Sequence, residues 1–526
     1  MQLARRLRGT SAFTIVFVGL LGLVFALSFG HRYSPGQDAP YHARYVAVVI
    51  DQLRGAGDLY EPVHLYEPNT LLYVVAALAG LVVGPVMGLQ LVVALGQIGL
   101  PLVTLWALGR LRAGRWGAVI ACSFVFSESY AGGFLAFRVA APLFVAALVL
   151  TALALQDAGR RSLVALGVIL VALFLLHAHV WLWAGALIAA GIVAYARREG
   201  VRAGFSRVRG LLVASAPSLA LAIHWAATTY GRGRVHGSDE VLERFQGAPL
   251  MGAYWRPAWW KLNPLEGVLD AAHAVRSSMD DVTLMVTFVA VAASWMIGRR
   301  LAASSRAVGF LRGCALASLA SFFVLPDTLS DQLIAARHWE MGMWLAPLLV
   351  DVRAPLLARA PAWERAAVAG LALPTAARLV VLLIAVSRFD AEASGLAAVG
   401  QHLREGEGPL AYASVDEPSA TWRWNPMFHA HGWVGAERRV EIVFHSSTRE
   451  TNLPIRYRAG PPSPLVKLRG DARWPLREGL WSHYPLVLAY GWPPEEARDA
   501  AALRAADLVA ASGPWQLWRR KPALDR

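Results

Sequence analysis

Apolar stretches of about 20 residues recur along most of this chain, and each is long enough to cross the hydrocarbon core of a bilayer as a helix. Soluble domains carry about 25% charged residues, whereas only 16% of these 526 residues are charged and 56% are hydrophobic. Within lipid the backbone must bond to itself, which restricts the spanning segments to helices. The sequence therefore predicts an all-α polytopic membrane protein.

The basic residues report topology. The net charge is +14, but the arginines form short clusters between apolar runs and no nucleic-acid-binding patch. Cytoplasmic loops carry the excess of Lys and Arg, so Arg5, Arg6 and Arg8 place the N-terminus in the cytoplasm. The apolar run that follows is long for a signal peptide, and we interpret it as an uncleaved anchor.

A threading with eleven transmembrane helices satisfies every arginine cluster. The predicted spans are 12–30, 88–109, 116–131, 134–155, 162–178, 180–196, 210–227, 282–298, 307–325, 338–352 and 366–387. The apolar run 69–86 is predicted to be an interfacial or re-entrant helix on the outer side. If it crossed, most later arginine clusters would face outward, against the charge rule.

This threading divides the chain into a transmembrane domain, 1–387, and a small α/β extracytoplasmic domain, 388–526. The first domain has two large external loops, 31–88 and 228–281. In the second, short runs typical of strands and one helix-like run are predicted at Leu410–Val415, Val440–Phe444, Leu486–Tyr490, Trp515–Trp518 and, for the helix, about 494–506. The predicted location is the inner (plasma) membrane.

Asp38 and His42 follow the first span, on the outer side. Pro40 stands between them, so Asp38 is expected to precede a helix and His42 to lie in its first turn. A carboxylate and an imidazole there could act as a general base or a metal ligand. An N-cap Asp beside a solvated His is the alternative.

Four further polar residues fall at the same outer boundary, where ionisable groups are costly and usually functional. Glu128 is a candidate second carboxylate, or an interfacial residue at a helix end. Arg138 needs a partner, for which a lipid phosphate or Glu128 would serve. His177 is either a substrate-binding group or a hydrogen-bonded boundary residue. Arg337 is placed to bind a lipid phosphate, with snorkelling as the alternative.

Acidic residues and a histidine recur in the first external loop at Asp58, Glu61, His64 and Glu67. Such ligands suit a divalent cation, Mg²⁺ or Mn²⁺ among them, although a solvated acidic loop explains them equally well. The only cysteines, Cys122 and Cys314, lie in apolar runs and offer no cysteine-based zinc site. We assign no metal ligands.

The layout resembles the GT-C glycosyltransferase superfamily. The resemblance is carried by an external loop with an early Asp, the run Pro68-Asn-Thr-Leu-Leu-Tyr73, a span ending in Leu108-Gly-Arg-Leu-Arg112, and a soluble tail ending in Trp515-Gln-Leu-Trp-Arg519. It implies a polyprenyl-phosphate-linked sugar as donor, Asp38 as the first-loop catalytic acid, and Arg337 or Arg138 at the donor phosphate. The paired acidic motif common in the family is absent at Asp38.

Sugar transfer from this donor to a glycan, lipid or protein acceptor is thus the preferred hypothesis. Membrane lipid is an expected partner and nucleic acid is not. Neither a Walker A loop nor a Rossmann fingerprint is present, so a nucleotide-using enzyme is not supported. The alternatives are a transporter or flippase, or a non-catalytic scaffold for envelope polysaccharide assembly. A transporter predicts internal repeats and polar groups along a pathway, and neither is evident.

Overall fold

The structure, a computed structural model, describes residues 12–56, 59–156, 159–230, 253–256, 258–263, 269, 272–301, 306–329, 332–350, 362–414, 419, 421–442, 455, 484–491 and 505–521. Most of these residues are helical. The helices are α1 (Ala12–Phe29), α2 (Ala39–Leu53), α3 (Thr70–Val83), α4 (Pro85–Arg110), α5 (Gly117–Ser123), α6 (Glu128–Ala131), α7 (Leu135–Gln156), α8 (Arg160–Leu176), α9 (Ala178–Glu199), α10 (Val201–Tyr230), α11 (Ala258–Leu262), α12 (Ser278–Leu301), α13 (Arg306–Val324), α14 (Ala335–Leu345), α15 (Ala362–Gly400) and α16 (His431–Arg438).

Within the described ranges, eight helices are long and apolar enough to cross a membrane. They are α1, α4, α7, α9, α13 and the segments Val208–Thr228 of α10, Ser278–Met296 of α12 and Ala366–Gly400 of α15. The prediction of a multi-pass helical membrane protein is confirmed. The count of eleven spans is not.

Three predicted spans account for the difference. Span 162–178 corresponds to α8, which has 17 residues. Span 116–131 folds as the short helices α5 and α6, and span 338–352 folds as α14 followed by a 3₁₀ helix at Ala346–Leu349. With 11 residues, α14 is about 16 Å long, against about 30 Å of hydrocarbon. Hydropathy marked the runs of α5, α6 and α14 because they are buried within the protein, whereas α8 exposes Val164 and Val168 and differs from the predicted span in its length.

Helices α3 and α4 form a tight hairpin. Its turn is Gly84, with φ +88°, followed by Pro85. The two helices touch through small residues, since a Cβ added to Gly88 would lie 2.4 Å from the Ala76 carbonyl oxygen and 2.6 Å from the Gly80 nitrogen. With 14 residues, α3 spans about 21 Å, which agrees with the prediction that this run does not cross.

Two small sheets complete the fold. The strands are β1 (Ala253–Tyr254), β2 (Thr328–Leu329), β3 (Gln332–Leu333), β4 (Leu410–Ser414), β5 (Leu486–Tyr490), β6 (Ala506–Ser512) and β7 (Trp515–Arg520). Antiparallel pairing of β1, β2 and β3 joins the segment before α12 to the loop between α13 and α14. The tail sheet has the order β4-β5-β7-β6, in which only the β4–β5 pair is parallel.

The tail strands largely follow the prediction. The structure gives β5 its predicted bounds, and β4 and β7 start where expected, whereas β6 was not predicted. In the predicted strand Val440–Phe444, Ile442 forms an isolated bridge to Leu410; residues 443–444 lie outside the described residues. So do residues 494–504 of the predicted helix, most of the loop 228–281, and Asp58.

The tail sheet packs on an extension of α15, which continues unbroken past residue 388. The Trp515 indole donates to the Glu392 carbonyl oxygen at 2.9 Å, and a Cβ on Gly395 would lie 2.6 Å from the Ser512 carbonyl oxygen. A second contact joins α16 to α2, where a Cβ on Gly432 would lie 2.6 Å from the Pro40 backbone. The tail therefore sits directly on the segment that follows α1.

Candidate active site

A broken helix lies at the centre of the site. The chain leaves helical geometry after α5, and a helix end exposes backbone carbonyls that cannot remain unsatisfied away from water. Arg138, one turn into α7, donates through Nη2 to the carbonyl oxygens of Phe124, at 2.8 Å, and Val125. Its guanidinium thus replaces the missing helical bonds on one side of the break.

A second arginine binds backbone carbonyls on the other side of the helix break. Arg378, on α15, donates through Nη2 to the Phe126 carbonyl oxygen at 2.7 Å and through Nη1 to that of Ser123. Its Nε lies 2.7 Å from Asp280 Oδ1 on α12, and both side chains are fully buried. Four consecutive carbonyls, 123–126, are therefore bound by two guanidinium groups from different helices.

Glu340 neutralises the first arginine. Its Oε2 lies 2.8 Å from Arg138 Nη1, and each side chain is 1% exposed. The same carboxylate accepts hydrogen bonds from the Ser129 backbone nitrogen at 2.9 Å and its Oγ at 2.6 Å. The sequence suggested Glu128 or a lipid phosphate as the partner of Arg138, whereas the structure gives Glu340. Glu128 itself is buried in the first turn of α6.

The segment 127–134, which we call the central loop, positions Asp38. The Asp38 backbone nitrogen donates to the Gly132 carbonyl oxygen at 3.2 Å. Gly133 adopts φ +80°, and a Cβ there would lie 2.5 Å from the Asp38 nitrogen. Asp38 occupies the N-cap position of α2, but its side chain makes no capping hydrogen bond to the described first turn of that helix. The structure thus gives no support to a pure capping role.

The Asp38 carboxylate contacts His429 of the tail. Its Oδ1 lies 3.4 Å from Nε2 of His429, and the two side chains retain 35% and 17% exposure. The His429 ring stacks on Tyr41 at a centroid distance of 4.0 Å. Asp38 is therefore open enough to meet a substrate and lies at the seam between α2, the central loop and the tail.

His42 faces another helix. Its Nδ1 lies 2.7 Å from the Tyr73 hydroxyl on α3, and the two rings stack. Burial lowers the pKa of His42 to about 4, so the imidazole is neutral at physiological pH. This contact ties the helix after Asp38 to the short hairpin helix.

Arg337 lies against the C-terminal end of the central loop. Its guanidinium stands over the rings of Phe134, at 4.8 Å, and Phe137, at 5.8 Å. His177, where the chain breaks between α8 and α9, places its ring against the same Phe137 at 5.4 Å. Burial and the nearby Arg337 charge hold the pKa of His177 well below its usual value. Arg337 and His177 therefore pack against the same aromatic ring.

Two further histidines, His179 and His338, lie close to His177 and Arg337 in the chain and contact each other. His179 Nε2 lies 2.9 Å from His338 Nε2, and His338 Nδ1 lies 2.9 Å from the Ser321 hydroxyl. Burial lowers the pKa of His338 to about 4. On a regular helix, residues two apart, such as His177 and His179, point to different faces, so only an irregular turn brings them to one side. The extended backbone of His177 provides that irregularity.

Sequence reasoning overlooked several of these residues. Glu340 lies inside the predicted span 338–352 and Arg378 inside 366–387, and a charge within a predicted span was an available signal of function or pairing. His429 was visible in the aromatic segment Trp422–Trp433. The aromatic side chains of that segment suit either stacking on a sugar or anchoring at the membrane interface, and neither use points to His429.

Of the residues considered for a metal, Asp58 lies outside the described residues, and Glu61, His64 and Glu67 do not form a group that could hold a metal ion. Glu61 accepts a hydrogen bond on its backbone oxygen from Gln52, and His64 stacks on Tyr66. In the part of the chain that the structure describes, no group of three His, Cys, Asp or Glu side chains could hold a metal ion. Dependence on a divalent cation stays a prediction.

The bundle, the hairpin and the tail sheet define a multi-pass membrane protein of GT-C fold. No model of a known protein family matches the sequence, and no curated protein matches it either. Two solved structures match in fold: ArnT from Cupriavidus metallidurans bound to undecaprenyl phosphate, with a TM-score of 0.55, and the same protein in the apo state, with 0.52.

Each match has 13% sequence identity and covers 97% of this chain and 98% of ArnT. ArnT is a GT-C glycosyltransferase, so the resemblance inferred from the sequence is confirmed at the level of the fold. The likeness extends over nearly the whole of both chains, tail included.

Proposed function

We propose that this protein is an integral-membrane glycosyltransferase that moves a sugar from a polyprenyl-phosphate donor to an extracytoplasmic glycan, lipid or protein. One observation carries the proposal: in an ArnT-like fold, a partly exposed carboxylate, Asp38, is held by the central loop, and Arg337 contacts Phe134 of the same loop. The ArnT structure with bound undecaprenyl phosphate supports a polyprenyl-phosphate donor.

Asp38 is the general base of this reaction. The acceptor oxygen forms a bond to the anomeric carbon while its proton passes to the Asp38 carboxylate. The bond between the anomeric carbon and the phosphate oxygen breaks, and the lipid phosphate leaves with the electron pair. Proton removal by a positioned side chain contributes about 10²- to 10⁴-fold to the rate.

Arg337 is the better of the two arginine candidates for the donor phosphate. Both terminal nitrogens of Arg138 bind groups of the protein itself, so its charge serves the broken helix. Arg337 contacts Phe134 of the central loop, and the same loop holds Asp38. A guanidinium there stabilises the charge that develops on the leaving phosphate.

The remaining predicted groups complete the substrate site. His177 lies beside Arg337 and suits the sugar or the phosphate, while His42 and Glu128 flank Asp38 through the central loop and α2. The donor lipid lies along the α3–α4 hairpin. We place the site on the outer face of the inner (plasma) membrane, with the N-terminus in the cytoplasm and the tail outside.

The test is transfer of a labelled sugar from a polyprenyl-phosphate donor by the purified protein in lipid vesicles. Asp38→Asn should lower transfer at least about 100-fold, the lower end of general-base contributions, while insertion and thermal unfolding are unchanged. The matched control is Asp507→Asn, which removes a carboxylate on β6 that is 66% exposed.

Full activity of Asp38→Asn would remove this residue from the mechanism. Movement of an intact lipid-linked sugar across the vesicle membrane, with no transfer, would replace the enzyme by a flippase. If the wild-type protein neither transfers a sugar from any donor nor moves the lipid-linked sugar, both the enzyme and the flippase are rejected. The non-catalytic scaffold is then the remaining hypothesis.

A further inference from the structure

His429 is the tail residue that reaches Asp38, and backbone hydrogen bonds fix the turn that carries it. The chain turns tightly around it: the Gly432 nitrogen donates to the His429 carbonyl oxygen at 2.9 Å, and the Ala430 nitrogen donates to that of Met427 at 3.2 Å. The neighbouring Met427 nitrogen donates to Asn425 Oδ1 at 2.9 Å. The imidazole is thus presented from a hydrogen-bonded turn that leads into α16.

The turn is pressed against the helix that Asp38 precedes. Gly432 touches the backbone of Pro40, leaving no room for a side chain. The His429 ring stacks on Tyr41 with an interplanar angle of 26°. Two contacts within three residues of Asp38 therefore fix the imidazole relative to the carboxylate.

At 3.4 Å from Asp38 Oδ1, the His429 Nε2 atom is placed to donate a hydrogen bond to the carboxylate. A hydrogen bond from the imidazole to a carboxylate favours the charged form of the acid, which is the form that a general base needs. It also holds the carboxylate in one orientation, which matters because reacting groups must be aligned to within a fraction of an ångström.

We infer that His429 is a positioning residue for Asp38, so that the docked tail completes the active site. This inference rests on the proposed function. It assigns the tail a part in the chemical step, beyond anchoring to the membrane. The tail must be docked on α2 for turnover, since the imidazole comes from beyond the last membrane-spanning helix.

Two substitutions separate the hydrogen bond from the packing. His429→Phe keeps an aromatic ring on Tyr41 and removes the donor, whereas His429→Gln keeps an N–H donor and loses the ring. We expect His429→Phe to lower kcat about 10- to 100-fold, as for the loss of a hydrogen bond to a charged group, with KM for the lipid-linked donor nearly unchanged. His429→Gln should recover most of that loss. The matched control is His402→Phe, because His402 is an exposed histidine of the tail.

A purely structural role predicts the reverse order, with Phe active and Gln impaired, and a lower unfolding temperature. That result, or full activity of His429→Phe, overturns the inference. The outcome is distinguishable from failure of the proposed function, which shows as absence of transfer by the wild type or as full activity of Asp38→Asn. An inactive Asp38→Asn beside a fully active His429→Phe rejects the role of His429 alone.

Discussion

At the scale of single residues, the two buried ion pairs explain why charged side chains occur in segments that otherwise look like membrane spans. A buried charge is tolerated when it is paired and hydrogen-bonded. Arg138 and Arg378 meet this condition twice, each with a carboxylate and with carbonyls of the broken helix. Their charges stabilise an irregular backbone in the middle of the bundle.

Removal of Glu340 should therefore destabilise the protein strongly. Glu340→Ala leaves the Arg138 guanidinium buried without its counter-charge, and breaking such a pair costs about 3–5 kcal/mol. The measurement is the unfolding temperature of the purified protein in detergent, which should fall by several degrees.

The control for Glu340→Ala is Glu199→Ala. It breaks the pair of Glu199 with Arg306, whose side chains are 31% and 67% exposed, and such pairs contribute at most about 1 kcal/mol. Equal shifts in the two variants would contradict the assignment of Glu340 as a structural partner.

The sequence shows some of these residues but not their pairing. The Arg138 charge at the start of a span signalled a need for a partner, yet Glu340 is 202 residues away along the chain. Nothing local in the sequence connects the two. Asp38 differs, because Pro40 and the preceding span fix its place next to a helix start without any long-range contact.

At the scale of elements, the length and hydropathy of an apolar run were sufficient to predict a helix wherever that helix is continuous. Thus α1, α4 and α7 lie close to their predicted spans. The run 116–131 is apolar enough for one helix, but it breaks because Arg138 and Arg378 bind its carbonyls. Hydropathy cannot detect that competition between backbone and side-chain donors. Similarly, the Ala-rich sequence of β6 carries no strand pattern, and pairing with β7 decides its structure.

The α3–α4 hairpin should depend on Gly88. In Gly88→Ala the added methyl group meets the backbone of Ala76 and Gly80, and neither can move without separating the helices. Overpacking of this kind costs about 1–3 kcal/mol. We expect a lower unfolding temperature and, because α3 carries Tyr73 against His42, reduced transfer activity.

Gly19→Ala on α1 is the matched control, since a Cβ there has no heavy atom within 4 Å among the described residues. It should be as stable as the wild type. A Gly88→Ala protein with unchanged stability would show that the hairpin is looser than its geometry indicates.

At the scale of the whole molecule, the proposed orientation places the active site outside and the arginine clusters inside. The native cysteines, Cys122 and Cys314, are buried, so single introduced cysteines report accessibility cleanly. In intact cells, a membrane-impermeant maleimide should label Arg54→Cys, on the first external loop. It should label Arg115→Cys, between α4 and α5, only after the membrane is permeabilised; both positions are exposed.

Labelling of Arg115→Cys in intact cells would invert the threading and move Asp38 to the cytoplasmic side. The proposed extracytoplasmic chemistry would then be untenable. Protection of both positions in permeabilised cells would instead indicate that the labelled side chains are covered, and Asp507→Cys on β6, which is 66% exposed as the native residue, serves as the positive control.

One helix sets a distance within the fold. The 39 residues of α15 make a rod of about 58 Å. Arg378 of this helix binds the carbonyl oxygens of the broken helix. About four turns further along, the carbonyl oxygen of Glu392 accepts a hydrogen bond from Trp515 of the tail sheet. The continuous helix therefore sets a spacing of about 21 Å between the tail sheet and the broken helix that leads into the central loop.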